Sequence, residues 1–156
     1  MLRAHKIKAN FSARGLRFGI AGACYNPELA DALVDSCART LRAAGARSSD
    51  IRILRVPGTF EVSAAAAWLA KSCRCDCVIG LGVVLQGETN HAHHIGDAVA
   101  NGLTQISLLT GVPTIFGIVT ANTLKQARVR CFSADYNRGR EAAETAIAMA
   151  RLWKNL

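Results

Sequence analysis

Aromatic residues are scarce in this sequence, at 6% of its 156 residues, although hydrophobic residues together make up 51%. A chain of this length and composition can bury a substantial core as a single domain. Because its apolar residues are mostly Ala, Leu and Val, with frequent Gly, they suit the close packing of helices against a sheet. The composition therefore favours an α/β fold over an all-β fold.

Long hydrophobic runs are also missing. The apolar stretch at residues 62–70 is far too short to span a bilayer. Residues 1–15 are basic and lack acidic side chains, as a transit peptide would, but they contain no continuous apolar stretch of the kind found in secretory signals. We therefore expect a soluble, cytoplasmic protein with no membrane partner.

Acidic residues are outnumbered, with 11 Asp and Glu against 19 Lys and Arg, which gives a formal net charge of +8. A surface with this charge attracts anions such as phosphates. The basic residues are scattered, with no dense run and no interleaved aromatics, so nucleic acid is not predicted to be a partner.

The six cysteines lie within regular periodic segments, whereas disulfide frameworks usually have loop-rich spacers, so we predict reduced thiols. They are Cys24, Cys37, Cys73, Cys75, Cys77 and Cys131. The alternating cysteines at 73, 75 and 77 would put three sulfurs on one face of an extended segment. Structural zinc normally takes four ligands, so we interpret these side chains as small hydrophobic fillers and predict no metal.

Short apolar runs alternate with longer helical patterns four times, and no linker interrupts them, which predicts one domain with a parallel sheet. We expect strands at residues 16–24, 51–56, 77–85 and 114–120. The first helix should begin at Pro27 with Asn26 as its N-cap and end at Gly45. Further helices are expected around 64–70, from 91 to about 110, at 123–130 and at 137–153.

Three loops should converge on one site, because ligands bind outside the carboxyl ends of strands in open parallel sheets. Tyr25 follows the first strand, residues 58–61 follow the second and residues 86–91 follow the third. The tripeptide at 87–89 could hold a phosphate with its backbone N–H groups, or it could be an ordinary turn with an N-cap.

His91 is the strongest candidate for proton transfer, because a histidine titrates near neutral pH and here follows a potential phosphate pocket. A metal site on His91, His94 and Asp97 is the rival interpretation, although no further carboxylate or cysteine stands at ligand spacing. His93 and His94 individually are interpreted as surface residues or loop supports.

Other candidates have two interpretations each. Glu61 could accept hydrogen bonds from a polyol or complement its helix dipole. Phe60 and Phe116 could stack on a flat heterocycle or belong to the core. Arg130 and Arg138 could hold a phosphate or be solvated surface residues.

Taken together, the loops resemble the sequence blocks of the 6,7-dimethyl-8-ribityllumazine synthases. The blocks are residues 55–61 (RVPGTFE), 80–91 (GLGVVLQGETNH) and 113–120 (PTIFGIVT), in the order and spacing of that family. The resemblance runs from residue 15 through the segment at 137–139 to the last helix. It implies a flavodoxin-like, single-domain three-layer sandwich with a four-stranded parallel sheet flanked by helices.

The resemblance also implies an activity. The family condenses 5-amino-6-(D-ribitylamino)uracil with 3,4-dihydroxy-2-butanone 4-phosphate, releasing phosphate and water, and it uses no cofactor. The residues expected to hold the pyrimidine and its ribityl chain are Tyr25, Thr59, Phe60, Glu61, Val83, Val84, Leu85 and Phe116. The residues expected to hold the butanone phosphate are Glu88, Thr89, Arg130 and Arg138, with His91 as the proton donor and acceptor.

The same resemblance implies a homo-pentamer, and it allows a decamer, a sixty-subunit shell and riboflavin synthase as a partner. Each site would lie between neighbouring subunits, so that Phe116 and Arg130 serve the adjacent chain. Residues 1–14 would form an arm that adds a strand to a neighbour's sheet, and residues 15–156 would form the domain itself.

The chain departs from the family pattern after the histidine, where Ala92, His93 and His94 replace an aromatic, an acidic and another aromatic residue. Gln86 also stands where a basic residue is common. Loss of the carboxylate removes an orienting partner for His91, which predicts a slower reaction on an unchanged fold. A non-catalytic paralogue that binds flavin or lumazine, or forms a shell, is the alternative function.

Overall fold

A computed structural model describes residues 12–156. Four strands alternate with helices along the chain, as the hydrophobic pattern predicts. The strands are β1 (Phe18–Ala23), β2 (Ile51–Val56), β3 (Cys77–Leu85) and β4 (Thr114–Ala121). The helices are α1 (Pro27–Ala43), α2 (Val62–Ser72), α3 (His91–Thr110), α4 (Leu124–Phe132) and α5 (Arg138–Lys154), and a 3-10 turn covers Ser48–Asp50.

The strands form one parallel sheet in the order β2-β1-β3-β4. Helices α1 and α5 pack on one face of the sheet and α2 and α3 pack on the other. The predicted α/β three-layer sandwich with a four-stranded parallel sheet is therefore confirmed. The central strand β3 is buried along almost its whole length, as expected for a strand covered on both faces.

Alanine-rich helices allow the layers to approach closely. Helix α5 turns a row of alanines, including Ala143 and Ala146, toward the sheet and α1. At its N-terminal end Gly139 lies against the backbone of α1, where a Cβ atom would collide with the carbonyl oxygen of Leu33. Only glycine fits this crossing, because any side chain would push the two helices apart.

A buried asparagine connects α1, α4 and α5. The side-chain oxygen of Asn137 accepts hydrogen bonds from the hydroxyl of Ser36 at 2.8 Å and from the backbone N–H of Arg140 at 3.0 Å. Its amide nitrogen donates to the carbonyl oxygen of Cys131 at 2.8 Å. Asn137 therefore caps α5 with a side chain that also ties the helix to its neighbours.

Asn26 is the N-cap residue of α1, as predicted, but its side chain does not cap the helix. Its backbone is left-handed, with φ at 55°, and its side chain makes no capping hydrogen bond. The amide nitrogen instead donates to the carbonyl oxygen of Val83 at the end of β3, at 3.2 Å. The predicted position of the N-cap is therefore confirmed, but the side-chain capping bond is absent. An N-cap side chain accepts helix N–H groups from an extended backbone, whereas Asn26 adopts the left-handed conformation that Asn tolerates.

The six cysteines are free, and four of them are buried. Burial raises the pKa of the Cys75 and Cys131 thiols to about 11 in each case, and it also raises the pKa of the Cys37 and Cys77 thiols. These four thiols therefore stay protonated at neutral pH and pack as small apolar side chains, in agreement with their predicted role.

The residues just before the sheet pack onto their own domain. Ala13 is buried in the core and donates its N–H to the carbonyl oxygen of Ala44 at 2.8 Å. Arg151 of α5 donates to the carbonyl oxygens of Ser12 and Arg14. The strand that residues 1–14 are predicted to add to a neighbour otherwise lies outside the described residues. Within residues 12–156, no helix is long and apolar enough to cross a membrane.

Candidate active site

The loops that follow β1, β2 and β3 enclose a cavity of about 800 Å³, here called the strand-end cavity. Most of the predicted site residues line it. They are Tyr25, Thr59, Phe60, Glu61, Val83, Val84, Leu85, Thr89 and His91. The lining also contains Asn26, Gly58, Gly87, Ala92 and Ile95. The three-loop convergence expected from the sequence therefore produces one open pocket.

Hydrogen bonds to one carbonyl group hold the loops in place. The oxygen of Val83 accepts from Asn26 and, at 3.5 Å, from the hydroxyl of Thr59. Thr59 is buried and lies over Gly82, where a Cβ atom would come within 2.7 Å of its hydroxyl oxygen. Asn26 and Gly82 therefore help to shape the cavity, and the sequence interpretation gave neither of them a place in the site. A glycine inside a strand pattern was the available signal, because it often marks a close approach.

Two exposed aromatic rings flank the cavity. Tyr25 is 70% exposed and Phe60 is 60% exposed, although both are large apolar side chains. Neither ring belongs to the core, so the core interpretation of Phe60 is wrong. Exposed rings beside an open pocket are suited to stacking on a flat heterocycle.

Glu61 stands at the N-terminal end of α2 and makes no capping hydrogen bond. Its carboxylate lies over Gly58, where a Cβ atom would be 2.8 Å from Oε2. Within residues 12–156 this carboxylate has no hydrogen-bond or ion-pair partner, and Glu61 lines the cavity. It can therefore accept hydrogen bonds from a ligand while it complements the helix dipole.

The loop at residues 87–90 connects β3 to α3 at the edge of the cavity. Gly87 and Thr89 line the cavity, whereas the exposed side chain of Glu88 does not. The 20-residue helix α3 begins directly after this loop, and its first turn has no acidic residue to offset the dipole. The free N–H groups at this end favour an anion.

Two of the three histidines at the start of α3 line different cavities. His91 lines the strand-end cavity, and its backbone N–H donates to the hydroxyl of Thr89 at 3.4 Å. His93 instead lines a smaller cavity of about 260 Å³ that it shares with Gln86 and Asp97. His93 therefore does not face the same cavity as His91 within one chain. Among residues 12–156, no group of three or more His, Cys, Asp and Glu side chains could hold a metal ion.

The structure places Phe116, Arg130 and Arg138 outside the strand-end cavity. Both arginines meet Glu141, at 2.7 Å from Arg130 and 3.5 Å from Arg138, and these three residues are here called the arginine cluster. Arg138 also donates to the carbonyl oxygen of Phe116 at 2.7 Å. Phe116 lies in the middle of β4, half-buried, beside a cavity lined by Arg138 and Glu141.

Glu141 was not a candidate from the sequence. Its spacing from Arg138 is a helical ion-pair signal, but its bidentate contact with Arg130 joins two helices. The arginines are half-buried and paired, so the solvated surface interpretation is wrong for both.

The sheet and its flanking helices define a doubly wound α/β protein, a class in which small ligands bind outside the carboxyl ends of the strands. The strand-end cavity lies at that edge of the sheet, beside His91 and the N-terminus of α3. The family model of 6,7-dimethyl-8-ribityllumazine synthase matches residues 15–154. The chain belongs to this family.

Curated relatives agree with the family match. The 6,7-dimethyl-8-ribityllumazine synthase of Aquifex aeolicus is 41% identical over 149 residues, which cover 96% of this chain and 97% of the relative. The synthases of Desulfotalea psychrophila and Syntrophus aciditrophicus are each 40% identical, over 94% and 92% of this chain and 94% of either relative. The family predicted from the sequence, and the enzyme class that belongs to it, are therefore confirmed.

Proposed function

We propose that this chain condenses 5-amino-6-(D-ribitylamino)uracil with 3,4-dihydroxy-2-butanone 4-phosphate to 6,7-dimethyl-8-ribityllumazine, releasing phosphate and water. Family membership supports the reaction. The observation that carries it is the strand-end cavity, which combines exposed aromatic rings, a free carboxylate, the 87–90 loop and His91. A volume of about 800 Å³ falls within the usual range for small-molecule sites.

The pyrimidine lies between the rings of Tyr25 and Phe60, against the apolar wall formed by residues 83–85. Glu61 accepts hydrogen bonds from the ribityl hydroxyls, because its carboxylate reaches the cavity with no partner in the described chain. Thr59 contributes mainly by holding Val83, since its hydroxyl is directed to that carbonyl group.

The phosphate of the second substrate binds at the 87–90 loop, through backbone N–H groups and the hydroxyl of Thr89. Glu88 contributes its backbone N–H, because its side chain lies outside the cavity lining. This anion site stabilises the departing phosphate next to the proton donor.

His91 transfers protons during imine formation, which requires proton movement at nitrogen and at the carbonyl oxygen. Its position on the cavity lining beside Thr89 supports this role. Much of the rate acceleration comes from holding two reactants together, because the uracil amine is itself a nucleophile. No side-chain nucleophile is required.

The site is completed by a neighbouring subunit of a homo-pentamer, which supplies Phe116 and the arginine cluster. Two observations support this: these residues lie away from the strand-end cavity in their own chain, and Glu141 holds both guanidinium groups in place. Residues 15–156 form the catalytic domain in this proposal.

The test is steady-state formation of lumazine, followed by its absorbance, with both substrates supplied. We expect product from the wild type and a fall of about 10²-fold in kcat for His91→Ala. His94→Ala is the matched control and should change kcat little, because His94 is exposed on α3 and lines neither cavity. An assembled wild-type protein that makes no product above the uncatalysed background would instead be a non-catalytic binding or shell-forming paralogue.

A further inference from the structure

Gln86 is anchored at both its backbone and its side chain. Its backbone N–H donates to the carbonyl oxygen of Ala121 at 2.8 Å, which continues the pairing of β3 with β4. Its side-chain amide nitrogen donates to the carbonyl oxygens of Gly87 at 3.0 Å and Thr89 at 2.9 Å. One amide group therefore bridges the 87–90 loop from a residue that the sheet holds in place.

The bridge determines which way the loop's peptide groups point. In a trans peptide the C=O and the following N–H point in opposite directions. With the carbonyl groups of Gly87 and Thr89 directed toward Gln86, the N–H groups of Glu88 and Asn90 are directed away from it. Gln86 lines the smaller cavity beside α3, whereas Gly87 and Thr89 line the strand-end cavity. The free N–H groups are thus turned toward the substrate side of the loop.

We propose that Gln86 is a positioning residue for the phosphate group of the butanone substrate, acting through the backbone N–H groups of the 87–90 loop. This inference rests on the proposed function, in which that loop binds the phosphate. Gln86 lines the other cavity of its own chain and contacts the carbonyl groups of the loop, so its proposed effect on the phosphate passes through the loop.

The same bridge is connected through Thr89 to His91, the residue that transfers protons. Gln86 holds the carbonyl group of Thr89, and the hydroxyl of Thr89 accepts the backbone N–H of His91. Losing the bridge should therefore affect phosphate binding first and proton transfer second. The sequence alone points only to a lost charge at this position, whereas the structure shows a neutral donor that spans the loop.

The experiment uses the assembled enzyme and replaces Gln86 by Met, which has a similar length and no N–H groups. We expect Gln86→Met to raise KM for the butanone phosphate about tenfold, the effect of losing two neutral hydrogen bonds, with a smaller change in KM for the pyrimidine. The inhibition constant of inorganic phosphate, competing with the butanone phosphate, should rise by a similar factor. Gln86→Lys restores donors of suitable length and should recover both values.

Two further measurements make the result specific. Crystal structures of the two proteins should show the carbonyl groups of Gly87 and Thr89 displaced in Gln86→Met, while β3 stays unchanged. Gln105→Met is the matched control, because Gln105 is exposed on α3 and lies roughly 20 Å along the helix from His91. It should leave KM, kcat and phosphate inhibition unchanged. Gln86→Ala, with the same expectations, replaces the Met variant if that variant does not assemble.

The outcomes separate this inference from the function on which it rests. If the wild type makes product and phosphate competes, but Gln86→Met leaves KM and the phosphate inhibition constant unchanged, the positioning role is wrong and the function stands. An equal loss in Gln86→Met and Gln86→Lys would also contradict it, since donors would then not matter. If the wild type makes no product, the proposed function fails and the role of Gln86 fails with it.

Discussion

The side-chain amide of Asn26 donates a hydrogen bond to the carbonyl oxygen of Val83 across two loops, at 3.2 Å. Asn26 stands just before α1 in a left-handed conformation, and Val83 lies in the buried part of β3. This contact joins the loop that carries Tyr25 to the apolar wall of the strand-end cavity. Asn suits the position because it tolerates a positive φ and supplies a donor.

We expect Asn26→Ala to lower the free energy of unfolding by about 2 kcal/mol, roughly half from left-handed strain and half from the lost hydrogen bond. Asn26→Gly loses the same hydrogen bond but has no Cβ, so it should cost less than the alanine variant. Denaturant unfolding of both variants measures the difference. Equal stabilities of the two variants would show that the backbone conformation does not contribute.

A subunit-mixing experiment tests the shared site. His91→Ala damages the strand-end cavity of a subunit, and Arg130→Ala damages its arginine cluster, so each homo-oligomer should be nearly inactive. When the two are dissociated, mixed equally and reassembled, on the order of a quarter of the interfaces combine an intact cavity with an intact cluster. We expect activity to return to about that fraction. The control is His91→Ala mixed with itself, and no recovery in the mixture would mean that each chain forms its own complete site.

Cysteine labelling with a neutral alkylating reagent should distinguish the six thiols. Cys24 is exposed and should react first at pH 7.5, whereas Cys75 and Cys131 should be protected. Burial disfavours the thiolate and raises the pKa of both thiols to about 11, so the reactive form increases only as the pH approaches that value. Peptide mass spectrometry after timed labelling identifies each site. Rapid labelling of Cys131 in the folded protein at pH 7.5 would contradict the buried placement.

Asn137→Ala should be among the more destabilising polar substitutions in the chain. It removes the cap of α5 and leaves the buried groups of Ser36 and Cys131 without their partner. We expect a loss of about 2–3 kcal/mol in the free energy of unfolding. Asn155→Ala is the control, because Asn155 is exposed at the other end of α5 and should cost little. Thermal and denaturant unfolding of the assembled proteins provide the comparison.

Elements with strong periodic signals were predicted closely. β3 and α3 have the bounds expected from the sequence, and Gly111 ends α3 in a left-handed conformation with φ at 72°. The predicted first and last residues of these two elements are correct because local backbone preferences and the hydrophobic pattern agree. Asn26 shows the opposite case. Local preference predicts a side-chain cap, but the side chain makes no capping hydrogen bond and its amide donates to the carbonyl oxygen of Val83.

The candidate site also has one part that could be predicted from the sequence and one part that could not. Residues in loops at the ends of neighbouring strands could be grouped from the sequence, because parallel topology brings those ends together. The pairing of Arg130 with Glu141 could not, since the two lie on different helices whose relative placement depends on packing. The direction of His93 into a separate cavity also depends on where β4 lies relative to α3.

By itself, the sequence determined the family, the order of strands and helices, and the residue types at the strand ends, because periodicity and motif spacing are properties of the chain. Only the tertiary structure decided what those residues contact. It directed the amide of Gln86 to two carbonyl groups of the 87–90 loop and the amide of Asn26 to the carbonyl group of Val83. It also gathered both arginines around one glutamate. A polar side chain has several local partners of similar energy, and the packed fold selects among them by the distance and direction it imposes.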